Sequence, residues 1–265
     1  MARSSLPACR TKCATTRKSA AFIWESPSMP NPQLEVDGIH TSYGLSQVLF
    51  GVSFTVEPGQ IVSLIGRNGV GKTTTMRSIM GLTPPRRGMV RFEGRDITGL
   101  PAHRISKLGI GFVPEERRIF PDLSVWENLD IARRPAAGGK EGWDENRVFE
   151  LFPDLREIQK RAGGVLSGGQ QQMLTIARCL MGNPRLILLD EPSEGLAPRV
   201  VENLREQVKM LKETGISIVL AEQNLGFVLY LSDYCHIMEK GEIKYSGTPA
   251  DLRANQEVLD QYLTL

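Results

Sequence analysis

From Gln33 onward, apolar and polar positions alternate in short stretches. Val52, Phe54 and Val56 are spaced by two, and Val90 and Phe92 repeat the spacing. That period predicts strands of an antiparallel sheet with one face turned to water. Residues 61–65, 186–189 and 216–221 are apolar almost throughout, which predicts strands buried on both faces. A helix-like stretch follows the first of these runs over residues 72–80. Between the second and third, Val201, Leu204, Val208 and Leu211 fall on one helical face. Strand, helix, strand predicts a parallel α/β sheet. Strand patterning vanishes over residues 115–182. There Val148, Leu151 and Phe152, then Met173, Ile176, Ala177 and Leu180, keep helical spacing, so this part reads as a helical insertion. Residues 235–245 predict a hairpin turning at Lys240-Gly241, followed by a short amphipathic helix from Pro249. No internal repeat interrupts the pattern.

Composition fits this picture and narrows the partners. The 265 residues are 41% apolar and 23% charged, ordinary for one or two globular domains with a large core. The apolar runs fall far short of the roughly 18 residues that a membrane span needs. Of the 32 basic and 30 acidic residues, five and one lie in residues 1–32, leaving 27 and 29 on residues 33–265. The body is therefore mildly acidic, which argues against wholesale nucleic-acid binding. Residues 1–32 show no helical or strand period and read as a disordered basic extension, or as sequence upstream of a true start at Met29. Their Arg- and Ser-rich, acid-poor composition also suits a transit peptide. Their apolar run, residues 20–24, is shorter than the roughly 7–15 residues of a secretory core. Cys9, Cys13, Cys179 and Cys235 form no CxxC pair and read as reduced structural thiols. His40, His103 and His236 have no partner at ligand or triad spacing and read as structural.

Three segments carry the chemistry. Gly66-Arg67-Asn68-Gly69-Val70-Gly71-Lys72-Thr73 matches GxxxxGK[ST], after a buried strand and before a helix. Glycines let backbone N–H groups converge on phosphate oxygens, and the helix N-terminus adds about half a positive charge. Lys72 would reach the β- and γ-phosphates of ATP, and the Thr73 hydroxyl would bind Mg²⁺. Residues 186–189 deliver Asp190 and Glu191 at a strand's end, Asp190 for the Mg²⁺ shell and Glu191 as general base toward water. This reading places Asp190 and Lys72 on neighbouring strands. Leu166-Ser167-Gly168-Gly169-Gln170 opens an amphipathic helix with a hydroxyl and free N–H groups suited to an anion.

With these motifs in this order, residues 33–265 resemble the ATP-binding cassette family, the nucleotide-hydrolysing subunits of ABC transporters. The resemblance implies an α/β P-loop NTPase fold: a RecA-like core, an antiparallel β subdomain and the helical insertion. It implies that Tyr43 stacks on adenine and that Thr74 joins the ATP contacts. Leu166–Gln170 would contact the ATP of an opposite cassette, and Ser193-Glu194-Gly195-Leu196 would cross that dimer interface. One chain holds one cassette, so the partner must come in trans. Two positions depart from the common family pattern. Glu115 stands where most cassettes have a metal-contacting glutamine, and Gln223 where most have a histidine at the γ-phosphate. Glu115 can still bind metal, while Gln223 can donate to phosphate but cannot carry a proton.

The runs Gly111-Phe112-Val113-Pro114-Glu115, Arg117-Arg118-Ile119-Phe120-Pro121, Glu127-Asn128-Leu129, Pro192-Ser193-Glu194-Gly195-Leu196-Ala197-Pro198 and Ala221-Glu222-Gln223-Asn224 are similar to the shorter cassette subunit of branched-chain amino acid importers. That implies a second, non-identical cassette, two membrane permease subunits and a periplasmic solute-binding protein. It also implies a cytoplasmic location on the inner face of the cell membrane. Urea and short-chain amide importers use similar cassettes. Ile119, Phe120, Leu123, Val125 and Trp126 read partly as core and, by resemblance, partly as a groove for a permease helix. DNA-maintenance ATPases of this family place long coiled coils or zinc modules between the phosphate loop and the second motif. Here Ser167 follows Lys72 at a separation of 95, and the interval holds neither.

Overall fold

The structure is a computed structural model that describes Met1, residues 32–136 and residues 142–262. The basic extension, Cys9, Cys13 and Met29 lie outside the described residues. The central sheet has six strands: β5 (Ile61–Ile65), β8 (Ile110–Val113), β9 (Leu186–Asp190), β10 (Ser217–Glu222), β11 (Tyr234–Glu239) and β12 (Glu242–Gly247). Their order is β12-β11-β5-β10-β9-β8, and all neighbours are parallel except β11 and β12. Every residue of β5, β9 and β10 is buried, as runs covered on both faces must be.

Alternate residues of these strands feed two separate cores. Ile61, Ile65, Ile187, Leu189, Ile218 and Leu220 point to one face. There they meet Leu204, Val208 and Leu211 of α7 (Pro198–Glu213) and Phe227, Val228 and Leu231 of α8 (Leu225–Leu231). Val62, Leu64, Leu186, Leu188, Val219 and Ala221 point to the other, toward Met76 and Ile79 of α1 (Lys72–Ile79). The same second core takes in the antiparallel sheet β4-β1-β6-β7, made of Val52–Val56, Leu34–His40, Arg87–Phe92 and Arg95–Asp96. Its β4 strand shows the predicted alternation: Val52, Phe54 and Val56 are buried and Ser53 and Thr55 exposed. A two-stranded ribbon, β2 (Ser42–Tyr43) with β3 (Ser46–Gln47), stands apart from both sheets.

The stretch without strands holds α3 (Val125–Asp130), α4 (Glu145–Leu151), α5 (Pro153–Glu157) and α6 (Gly168–Leu180). Ser124 and Ser167 close capping boxes on α3 and α6 with Glu127 and Gln170. Phe152, expected on the same helix as Val148, instead ends α4, because Pro153 excludes the helical conformation at the residue before it and then starts α5.

The placement of Lys72 and Asp190 needs correction. Strands β5 and β9 are not neighbours: β10, the latest of the three in sequence, pairs with both, Ile218 against Ile61 and against Ile187. Several elements are additional to the expected pattern, among them the edge strand β8, α2 (Ala102–Lys107) and α8. The C-terminal helix is two, α9 (Pro249–Ala254) and α10 (Gln256–Tyr262), broken at Asn255. No helix among the described residues is long and apolar enough to cross a membrane.

Candidate active site

The loop from Gly66 to Gly71 connects β5 to α1 and owes its shape to residues without side chains. Gly69 and Gly71 sit at φ 80° and 113°, in the left-handed region that favours glycine. At Gly66 a Cβ would lie 2.6 Å from the Met238 carbonyl oxygen, too close for any side chain. Gly71 is the N-cap of α1, so the helix begins at Lys72 with its first N–H groups unspent. Lys72 is buried and its ammonium donates to the carbonyls of Gly66 and Arg67, at 2.6 and 3.0 Å. Thr74 is buried beside it, while Arg67, Asn68 and Gly69 are exposed at the rim and Val70 is half-buried.

Across β10, the end of β9 brings its two carboxylates to this loop. Thr73 Oγ1 donates to Asp190 Oδ1 at 3.0 Å, and Glu191 Oε1 lies 3.1 Å from Lys72 Nζ. Glu191 has φ 45°, a strained conformation for a residue with a side chain, and its N–H is tied to the Ala221 carbonyl at 2.9 Å. Gln223 Nε2 donates to Glu191 Oε2 at 3.2 Å. Burial pushes the Asp190 carboxyl up to about 6. The Thr73 hydrogen bond opposes that rise, and the nearby charges of Glu191 and Glu115 add to it. Glu115, just past β8, is raised for a like set of reasons: burial first, then repulsion from Glu191 and Glu194.

Thus Lys72, Thr73, Asp190, Glu191 and Gln223 form one connected cluster, with the Glu115 charge within electrostatic reach. Its excess of carboxylates over cations, together with the Thr73 hydroxyl, is a set of hard oxygen donors of the kind that Mg²⁺ takes. The described residues hold no ready-made group of three metal-binding side chains. Thr73 and Asp190, joined at 3.0 Å, are the residues that would hold such an ion.

Other expected site residues lie apart from this cluster. Ser167, exposed, accepts from Gln170 N at 3.3 Å, and its own N–H is held by Gln170 Oε1 at 3.0 Å. Gly168 and Gly169 start α6, and Leu166 is buried beneath them. Among the described residues, no hydrogen bond or ion pair joins residues 166–170 to the phosphate loop. Tyr43 stands 45% exposed on the β2–β3 ribbon. Of the apolar residues after Glu115, Val125 is buried, Ile119 and Leu123 are half-buried, and Phe120 and Trp126 are 45% and 41% exposed.

One residue of the site escaped the sequence reading. Glu222, at the end of β10, is 2% exposed and accepts from the N–H groups of Ser193, Gln223 and Asn224 at 2.9, 3.1 and 3.2 Å. Burial raises its carboxyl, and these hydrogen bonds oppose the rise. It pins the loop after Glu191 to the segment that carries Gln223. Its acidic type directly before Gln223, at the end of an otherwise apolar strand, was the available signal.

The ABC transporter family profile matches residues 49–194 of the chain. The chain belongs to the ATP-binding cassette family. This cassette is 42% identical over 236 residues to the high-affinity branched-chain amino acid transport ATP-binding protein BraG of Pseudomonas aeruginosa, covering 87% of this chain and 99% of that protein. BraF of the same organism, which carries the same description, is 33% identical over 89% of this chain and 99% of its own length. The lipopolysaccharide export system ATP-binding protein LptB of Haemophilus influenzae is also 33% identical, over 87% of this chain and 96% of its own. Among solved structures, a nucleotide-free ATP-binding cassette of an ABC transporter superposes with a TM-score of 0.74 at 28% identity, covering 86% of this chain and 98% of that one. The cassette is thus an ABC-type ATPase with the P-loop NTPase fold and its added β subdomain. Cassettes of this family bind ATP, dimerise and work with membrane permease components.

Proposed function

We propose that this chain is the ATP-hydrolysing subunit of a branched-chain amino acid importer, bound at the cytoplasmic face of the cell membrane. The observation that carries the reading is the likeness to BraG along nearly its whole length, well above the 33% shared with LptB. A connected set of hydrolytic groups supports the activity itself.

In this reading the phosphate loop cradles ATP with its N–H groups, and Tyr43 stacks on the adenine. Lys72 leaves the Gly66 and Arg67 carbonyls for the β- and γ-phosphates. Thr73 and Asp190 hold Mg²⁺, with Glu115 nearby; the ion, when bound, neutralises charge on the phosphates. Glu191 accepts a proton from the attacking water, and Gln223 orients Glu191 while donating toward the γ-phosphate. The Ser167–Gln170 turn faces the ATP of a second, non-identical cassette, which accounts for its distance from the phosphate loop of its own chain. Exposed Phe120 and Trp126 would seat one of two permease subunits, and a periplasmic binding protein would deliver the solute.

Uptake of radiolabelled leucine tests the solute. Cells lacking the chain should lose it and regain it with the wild-type chain but not with Glu191→Gln. Unchanged leucine uptake would overturn the importer reading; loss of urea or short-chain amide uptake, or of lipopolysaccharide export, would put the corresponding alternative in its place.

A further inference from the structure

Arg117, two residues beyond Glu115, makes contacts that the motifs do not require. It has φ 45°, a strained conformation for a residue with a side chain, which persists only where the surroundings hold it. Arg117 Nη2 donates to the Glu194 carbonyl at 2.6 Å. A Cβ on Gly168 would lie 2.7 Å from Arg117 Nη1, so the guanidinium rests directly on the first residue of α6. One side chain therefore touches the loop after Glu191 and the start of α6 from the segment that carries Glu115. A cation laid against a helix N-terminus opposes the helix dipole, so helix stability does not explain its position.

The contact continues to the hydrolytic groups. Glu194 Oε2 accepts from Gln223 Nε2 at 3.5 Å, and the same amide reaches Glu191 at 3.2 Å. In the opposite direction, the carbonyl of Arg118 accepts from Arg178 of α6, whose guanidinium lies 4.9 Å over the Phe120 ring.

We propose that Arg117 is a positioning residue for ATP hydrolysis: by holding the Glu194 carbonyl it fixes the loop whose carboxylate aims Gln223, and with it Glu191. The inference rests on the roles given above to Glu191 and Gln223.

Steady-state ATP hydrolysis by the chain assembled with its partner cassette and permease subunits tests it, with Arg117→Gly and Arg117→Lys as variants. Glycine accepts φ 45° without strain, so Arg117→Gly should unfold no earlier than the wild type. Its kcat should fall about tenfold, the scale set by losing one hydrogen bond from a charged donor, with KM for ATP unchanged. Arg117→Lys, which keeps a cationic donor, should recover part of the loss. In a Glu194→Ala background, where the path to Gln223 is already cut, Arg117→Gly should cost less than about twofold. A kcat within about twofold of wild type, an equal loss in both backgrounds, or a KM change at constant kcat would each overturn the proposal. An active Glu191→Gln would instead overturn the reading of the site itself.

Discussion

Glu191→Gln separates two roles that one carboxylate performs. The amide keeps an oxygen able to face Lys72 across 3.1 Å, but it puts a donor where Oε2 accepts from Gln223 Nε2 at 3.2 Å, carries no charge and takes no proton. Loss of a positioned general base costs about 10²–10⁴ in rate, so kcat should fall at least about 100-fold while ATP still binds. Stability should change less than the geometry first suggests. At 3.1 Å and an effective dielectric of about 20, the Lys72–Glu191 attraction is about 5 kcal/mol. With the side chains only 2% and 6% exposed, desolvation of both charges offsets much of it, and Gly66 and Arg67 still hold the ammonium. A net loss of about 1–3 kcal/mol is expected. Phosphate release under single-turnover conditions reads the first quantity and urea unfolding the second. A folded variant that hydrolyses ATP at the wild-type rate would refute the base assignment. A variant more stable than wild type would refute a net favourable pair.

His236 is packed between Phe54 and Tyr234, with Nδ1 bonded to the Ser246 hydroxyl, and burial pushes it down to about 4. The unfolded chain takes up this proton below about pH 6.5 and the folded chain only near 4, so stability present at pH 7 is lost as pH falls. Wild type should lose about 2 kcal/mol more than His236→Gln between pH 7 and 5, read as urea midpoints; equal slopes would remove His236 as the cause. Gly71→Ala should abolish nucleotide binding and cost about 1–3 kcal/mol, because φ is 113° and the new Cβ would meet Leu49 Cδ2 at 2.8 Å. Differential scanning calorimetry and ATP titration check it. Trp126→Asp should leave stability within about 1 kcal/mol of wild type, since the ring is 41% exposed, yet release the chain from membrane fractions. Retained membrane association would argue against the docking face.

The buried strands, the phosphate loop and the Asp190-Glu191 pair were legible because each is written in residue type at fixed spacing. Sheet order was not. Residues 61–65 and 186–189 look adjacent once their motifs are paired, and only the pairing of Ile218 with both strands reveals β10 between them. Strand β8 escaped because it is four residues long, contains Gly111 and lies at the sheet edge. Arg117 and Glu222 act on backbone groups of segments distant in sequence, a contact that leaves no trace in the partner's side-chain type. Phe152 shows a different limit, a helical period that runs one residue past the end of the helix, up to a proline.

The central place of β10 bears on how the protein is made. Lys72 leaves the ribosome long before residue 217, yet β5 and β9 find their shared neighbour only when β10 emerges. Until then each presents an unpaired edge of apolar residues, the kind of surface that invites aggregation and chaperone capture. Gln223 follows that strand by a single residue. The hydrolytic cluster is therefore completed only when the middle of the sheet closes, and a nascent chain holding every residue of the phosphate loop cannot yet hydrolyse ATP.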